Sequence, residues 1–191
     1  MAAFDHFQYY LDEAKRFVAE LGIERPKILK TDAYNEMLDL PDTGGIANNI
    51  DADVTMIEYQ DVFDRKVRRM GFNVVKGDIR NMPFKDKTFD GILDFSTIDH
   101  VSINDLPGTF AEYARVLKSH GKILVFAWNA ENPMVSDATE ERGKTWTALN
   151  QYFFPPKVYK EIFESFFLIQ EEWKFLDGGD TYLKVFRGEK K

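Results

Sequence analysis

FNVVKGDIRNMPFKDKTFDGILDF, residues 72–95, contains two short apolar runs bounded by Gly, Asn, Pro and Asp. Runs of this length with such punctuation predict strands, here over residues 72–78 and 89–95, with the turn-like Lys85-Asp86-Lys87 before the second. Upstream, residues 61–70 predict a helix closed by Gly71, a residue that takes up the left-handed backbone of a helix C-cap without a steric penalty. Before that helix, residues 53–59 form another strand candidate, with Val54, Met56 and Ile57 inside it and the acid Glu58 at its end. Downstream, Leu106, Phe110, Tyr113, Ala114 and Leu117 recur at helical spacing and Pro107 suits a first turn. That helix is expected to end near Gly121, and a further strand is expected over residues 122–128.

The pattern extends in both directions. Residues 27–32, KILKTD, form a first strand, followed by a polar and helical stretch up to Ile50. Phe4, Phe7, Leu11, Ala14, Phe17, Val18 and Leu21 place an amphipathic helix within residues 1–25, stopped by Gly22 and Pro26. Strands that alternate with helices call for a mostly parallel, doubly wound α/β sheet covered on both faces, because parallel neighbours need crossover connections. After Trp128 a polar excursion over residues 129–156 is a candidate substrate lid, and Val158, Ile162, Phe163 and Phe166 mark a helix behind Pro155 and Pro156. Two strand-like segments, 167–175 and 181–187, flank Leu176-Asp177-Gly178-Gly179-Asp180 and predict an antiparallel C-terminal hairpin.

The 191 residues suit one domain, and 44% apolar with 30% charged residues is the composition of a globular protein. With no cysteine, disulfides, thiolate zinc sites and cysteine nucleophiles are excluded. His6, His100 and His120 show no ligand spacing, so no metal is expected. A net charge of −7 disfavours nucleic acid as a partner, and Arg65, Lys66, Arg68 and Arg69 read as a solvated helix face. No run reaches bilayer length and MAAFDHFQYYLDEAKRF lacks the order of a signal peptide, which leads to an expected cytoplasmic location.

In open α/β sheets ligands bind beyond the carboxyl ends of the strands. Glu58 there can accept both hydroxyl hydrogens of a ribose, or be a solvated capping acid. The run GDIRNMPFKDKTFDGIL at 77–93, with AEYARVLKSHGKILV at 111–125, resembles the class I methyltransferases related to ubiquinone and menaquinone biosynthesis. Those share a GDxxxLPFxDxxFDxV segment and an RVLKPGG turn, from which Met82 and Ser119-His120 depart mildly. The resemblance implies a Rossmann-like sheet of about seven strands, mostly parallel with an antiparallel C-terminal hairpin, and S-adenosylmethionine as cofactor. It also implies that Asp78 bonds the adenine amino group, that the Ile79 amide meets the ring, and that Asp94 and Ser96 at the fourth strand end belong to the cofactor site. Asp90, just before the buried part of that strand, reads as a local capping or pairing residue.

Most relatives carry an acid and a GxGxG loop after the first strand, where this chain has Ile28-Leu29-Lys30-Thr31-Asp32-Ala33-Tyr34-Asn35-Glu36. LDLPDTGG at 38–45 is closer to the usual string, but placing the first strand there leaves too short a crossover to residue 53. LKTDAYNE is similar to a sub-group variant, LKTDLFDEA, that comes with an STLDHF-like run, matched here by Ser96-Thr97-Ile98-Asp99-His100-Val101. By that resemblance Thr31, Asp32, Asn35 and Glu36 take over the contacts of the missing glycine backbone with the cofactor's ammonium and carboxylate.

Methyl transfer is an in-line displacement that needs alignment, exclusion of water and, for some acceptors, removal of a proton. Asp99 and His100 beyond the fourth strand are the candidate catalytic pair, His100 as general base, or else residues that hold the loop by local hydrogen bonds. Trp128 and Asn129 after the fifth strand are candidate contacts for a small-molecule substrate, and Trp128, Tyr152, Phe153 and Phe154 form either an aromatic pocket or plain core. The alternative function is a non-catalytic Rossmann-like binding or assembly module; a nicotinamide enzyme is weakened by the absence of GxGxxG and by the terminal hairpin.

Overall fold

The computed structural model describes residues 6–37, 45–128, 151–152, 154–177 and 180–191. In chain order these form α1 (His6–Leu21), β1 (Lys27–Lys30), α2 (Tyr34–Met37), β2 (Asp53–Glu58), α3 (Asp61–Arg69), β3 (Val74–Lys76) and β4 (Phe89–Phe95). A 3-10 turn (Ile98–His100) precedes α4 (Leu106–Val116), β5 (Leu117–Trp128), α5 (Pro156–Phe166), β6 (Phe167–Asp177) and β7 (Asp180–Lys190).

The seven strands form one sheet in the order β3-β2-β1-β4-β5-β7-β6. The first five in this order are parallel, and β7 runs antiparallel to both β5 and β6, as the doubly wound reading with a terminal hairpin expects. The order reverses between β1 and β4, the place where an open sheet leaves a crevice at its carboxyl ends. β1 lies at Lys27–Lys30, paired to β2 and β4, so the first strand is KILK; residues 38–40 lie outside the described residues.

Alternate strand residues serve opposite faces. Ile28, Leu93, Leu124, Phe126 and Val185 pack with Phe7, Leu11, Ala14, Phe17 and Val18 of α1, and Leu29, Ile92, Ile123, Val125 and Phe186 pack with α4 and α5. Two glycines let the helices close in. A Cβ on Gly91 of β4 would stand 2.7 Å from Phe17, and one on Gly188 of β7 would stand 2.6 Å from Phe163 of α5. The guanidinium of Arg187, 1% exposed on β7, bonds Glu13 and Glu20 of α1 and Glu171 of β6, and pins α1 across the hairpin. Asp90 accepts the Lys27 amide hydrogen and pairs with Lys118, the local role read for it.

Several boundaries differ from the expectation. The helix expected to run to Gly121 ends at Val116, because Leu117 pairs with Phe89 and the Val116 carbonyl accepts the Thr88 amide hydrogen. Residues 118–121 then form an irregularity between the Phe89 and Gly91 pairings, with His120 at φ 61°. β1 ends at Lys30 and β3 covers only Val74–Lys76, because the chain turns at Thr31-Asp32 and at the Asp78–Asn81 bridge. Arg65, Arg68 and Arg69 are exposed on α3, with Lys66 half-buried. The excursion over 129–156 lies mostly outside the described residues; of the aromatic group near it, Phe153 is outside them and Phe154 is core. Among the described residues no helix is long and apolar enough to cross a membrane.

Candidate active site

The carboxyl end of β1 is built around a buried cation. Lys30 occupies a central parallel strand whose residues after the exposed Lys27 are all buried. Its Nζ lies 2.9 Å from Asp32 Oδ1, 2.9 Å from the Asp32 carbonyl oxygen and 3.1 Å from Glu36 Oε2. Burial opposes the charge, but the two carboxylates outweigh it and raise the Lys30 pKa above its ordinary value. Glu36 Oε1 accepts the amide hydrogens of Ile46 and Ala47, each at 3.1 Å, which draws the return of the loop onto α2. Gly45, at φ 74°, lies so close that a Cβ there would meet Glu36 Cγ at 2.7 Å.

Thr31 and Asp32 are linked to the segment after β4 by a hydroxyl chain. Thr31 Oγ1 donates to Thr97 Oγ1 at 2.9 Å, and Thr97 Oγ1 donates to Asp32 Oδ2 at 3.2 Å. Asp32 Oδ1 also accepts the Tyr34 amide hydrogen at 2.8 Å. Glu58, at the end of β2, takes the amide hydrogens of Ala33 at 3.1 Å and Gln60 at 2.6 Å, and burial raises its pKa. Its oxygens keep lone pairs for further donors.

At the end of β4, Asp94 is fully buried and accepts from Tyr113 OH at 2.6 Å and from the amides of Thr97 at 2.8 Å and Ile98 at 3.2 Å. Burial pushes its pKa up to about 7 against those bonds. Ser96 sits at φ 66°, a left-handed conformation that costs a non-glycine residue energy, and its hydroxyl lies near the Tyr10 hydroxyl and the Asp99 carboxyl without a well-formed hydrogen bond. Tyr10 arrives from α1, stacked on Phe95 with ring centroids 4.9 Å apart. Asp78 stands beyond β3 with both oxygens on the Arg80 guanidinium at 2.7–3.1 Å; burial would raise its pKa, but Arg80 holds it below the ordinary value. Ile79 is buried beside it.

Thr31, Asp32, Glu36, Glu58, Asp94 and Ser96 thus come together around the β1 and β4 ends, with Asp78 and Ile79 on the β3 side. Asn35 is on α2, but its side chain lies outside the described residues, as does all of Asn129. Of the candidate catalytic pair, Asp99 is fully buried with its carboxyl on the Trp128 amide and the Tyr159 hydroxyl, whereas His100 is half-buried at the end of the 3-10 turn. Trp128 is half-buried at the end of β5.

Sequence reading missed Lys30, Tyr10, Thr97, Tyr113 and Tyr159. Lys30 left a signal: a cation inside Ile28-Leu29-Lys30 of a central strand, with acids two and six residues on. The others left none, because their partners are remote in sequence.

A family model described as a methyltransferase domain matches residues 33–125. Over that stretch, just under half of its length, the chain is similar to the methyltransferase domain family. The chain is 36% identical over 61 residues to a candidate methyltransferase of Encephalitozoon cuniculi (strain GB-M1), a match that spans 31% of the chain and 29% of that protein. Among solved structures it is similar to a protein of Pyrococcus horikoshii OT3, with a TM-score of 0.71 and 18% identity over 98% of this chain and 92% of that one. It is also similar to the 1,6-didemethyltoxoflavin-N1-methyltransferase of Burkholderia thailandensis, whose structure holds 1,6-didemethyltoxoflavin and S-adenosylhomocysteine. Here the TM-score is 0.67 and the identity 16%, over 95% of this chain and 78% of that one. A third likeness is the glycopeptide N-methyltransferase MtfA with S-adenosylhomocysteine, at TM-score 0.67 and 20% identity over 95% and 90% of the two chains.

The donor set at the strand ends fits S-adenosylmethionine. Acceptors dominate at the strand ends and one buried lysine offsets only part of their charge, which suits a ligand with a sulfonium, an ammonium and donor hydroxyls.

Proposed function

We propose that the chain transfers the methyl group of S-adenosylmethionine to a small-molecule acceptor bound beyond the carboxyl ends of β4 and β5. The observation that carries this reading is the Thr31-Thr97-Asp32 hydroxyl chain at the sheet's reversal point, which holds an acid where relatives use glycine backbone. When bound, the cofactor supplies an electrophilic methyl on a sulfonium. Glu58 accepts the ribose hydroxyls, and Asp78 and Ile79 meet the adenine, with Arg80 fixing the Asp78 carboxylate. Thr31, Asp32 and Asn35 serve the amino-acid end; Glu36 acts there through Lys30. Asp94 and Ser96 form the floor at the β4 end, and Trp128 and Asn129 contact the acceptor. His100 takes up the proton the acceptor loses, a role suited to imidazole near neutrality.

The engagement of Glu36 with Lys30 and of Asp78 with Arg80 favours a second reading, a Rossmann-like binding or assembly module. Titration calorimetry with S-adenosylmethionine, S-adenosylhomocysteine and NAD separates the two. Saturable binding of the first two is expected, and binding of neither would sink the methyltransferase reading.

A further inference from the structure

Asp99 lies on the 3-10 turn beyond β4 and is fully buried. Its carboxyl accepts the Trp128 amide hydrogen at 3.1–3.2 Å through both oxygens and the Tyr159 hydroxyl hydrogen at 3.0 Å through Oδ1. Its main-chain carbonyl accepts the Tyr152 amide hydrogen at 2.7 Å. A single residue therefore joins the turn after β4 to the end of β5, to the segment ahead of α5, and to α5 itself. Burial holds the carboxyl well above the usual carboxylate range, and its oxygens are taken up as acceptors by Trp128 and Tyr159, an arrangement suited to holding groups in place. The rings it gathers include half-buried Trp128 and Tyr152, the latter stacked on Phe154 with planes 8° apart.

We propose that Asp99 is a positioning residue that fixes the acceptor-side wall of the site by tying Trp128, Tyr152 and Tyr159 to the carboxyl end of β4, without touching the cofactor. What the wall faces rests on the methyl-transfer reading; the tie does not. Loss of the carboxyl would remove the acceptor that the Trp128 amide and the Tyr159 hydroxyl share in a buried setting, a cost that local opening of α5 relieves.

The test compares the full chain with Asp99→Asn, Asp99→Ala and Tyr159→Phe. It reads tryptic cleavage after Lys157 and Lys160 of α5, near-ultraviolet circular dichroism of the aromatic residues, and the Kd for S-adenosylhomocysteine. Asparagine has nearly the same shape and keeps a carbonyl oxygen that can accept from Trp128 and Tyr159, so Asp99→Asn should match the wild type in all three. Asp99→Ala should speed cleavage about tenfold, change the aromatic dichroism and leave the Kd within about threefold. An Asn variant that behaves like Ala would overturn the proposal. So would an Ala variant that loses cofactor affinity while α5 stays resistant, or one that changes nothing. If Asp99→Ala fails to fold, Tyr159→Phe decides: faster cleavage with an unaltered Kd supports the tie, and unaltered cleavage overturns it. If the wild type binds no S-adenosylhomocysteine, the methyl-transfer reading falls while the cleavage arm still decides the tie.

Discussion

Lys30 and Glu36 form an ion pair with Nζ 3.1 Å from Oε2, and both side chains are 0% exposed. A pair sealed from water is held by its mutual charge and its hydrogen bonds, and removing one partner leaves the other uncompensated. Lys30→Met should therefore cost about 3–5 kcal/mol in urea unfolding, the range for breaking a buried pair from one side. Glu36→Gln should cost less, because Asp32 still faces the ammonium and an amide oxygen can still accept from Ile46 and Ala47. Equal losses would mean that the pair does not organise the loop.

Thr97→Val preserves shape and removes the hydroxyl that joins Thr31 to Asp32. The Kd for S-adenosylhomocysteine should weaken about three- to tenfold, the range for one hydrogen bond. The Thr97 amide keeps its bond to Asp94, so the melting temperature should move little.

Asp94 introduces a pH dependence of stability. Its pKa is raised from 3.8 to about 7, with burial as the main cause, so between those values the folded chain holds a proton that the unfolded chain releases. The folded state binding more protons makes stability fall as pH rises through that window. Asp94→Asn should flatten the fall, changing the variant-to-wild-type difference between pH 4 and pH 8 by a few kcal/mol, at about 1.4 kcal/mol per pKa unit. Parallel urea curves of the two proteins at both pH values would refute the assignment.

Once an acceptor is in hand, His100→Ala should lower kcat and leave the Kd for S-adenosylhomocysteine unchanged. Turnover undiminished across the pH range would remove the base assignment. A loss of about 10²–10⁴-fold is the usual contribution of such a group.

Arg187→Met removes the guanidinium shared by Glu13, Glu20 and Glu171 and should cost about 3–5 kcal/mol in urea unfolding. Arg187→Lys should not restore it, since one ammonium cannot reproduce a fork that reaches Glu13 through Nη2 and Glu20 and Glu171 through Nη1. Wild-type stability in the lysine variant would show that charge alone suffices.

The strand boundaries at 53 and 89, the start of α4 at Leu106 and the terminal hairpin were legible because they depend on local signals: period-two apolarity, a proline in a first turn, turn residues between strands. The end of α4 was not legible, because Leu117 has the right helical spacing but is captured by Phe89 across the sheet. At the site, the types and places of Thr31, Asp32, Glu58, Asp78 and Asp94 could be read as strand-end residues. Their partners could not: Asp32 is completed by Thr97, Glu58 by the Ala33 amide and Asp94 by Tyr113.

By itself the sequence determined the alternation of strands and helices, the antiparallel close and the presence of LKTDAYNE, without GxGxG, at the end of the first strand, because each is written in neighbouring residues. The tertiary structure alone decided which groups that stretch meets. Only when β1, β2 and β4 lie side by side does Lys30 lose its water and take Asp32 and Glu36 as partners, and only then does Asp99 meet Trp128 and Tyr159. The strength of a charge or hydrogen bond is set by the burial and the neighbours that folding supplies, and these come from chain segments far apart in sequence.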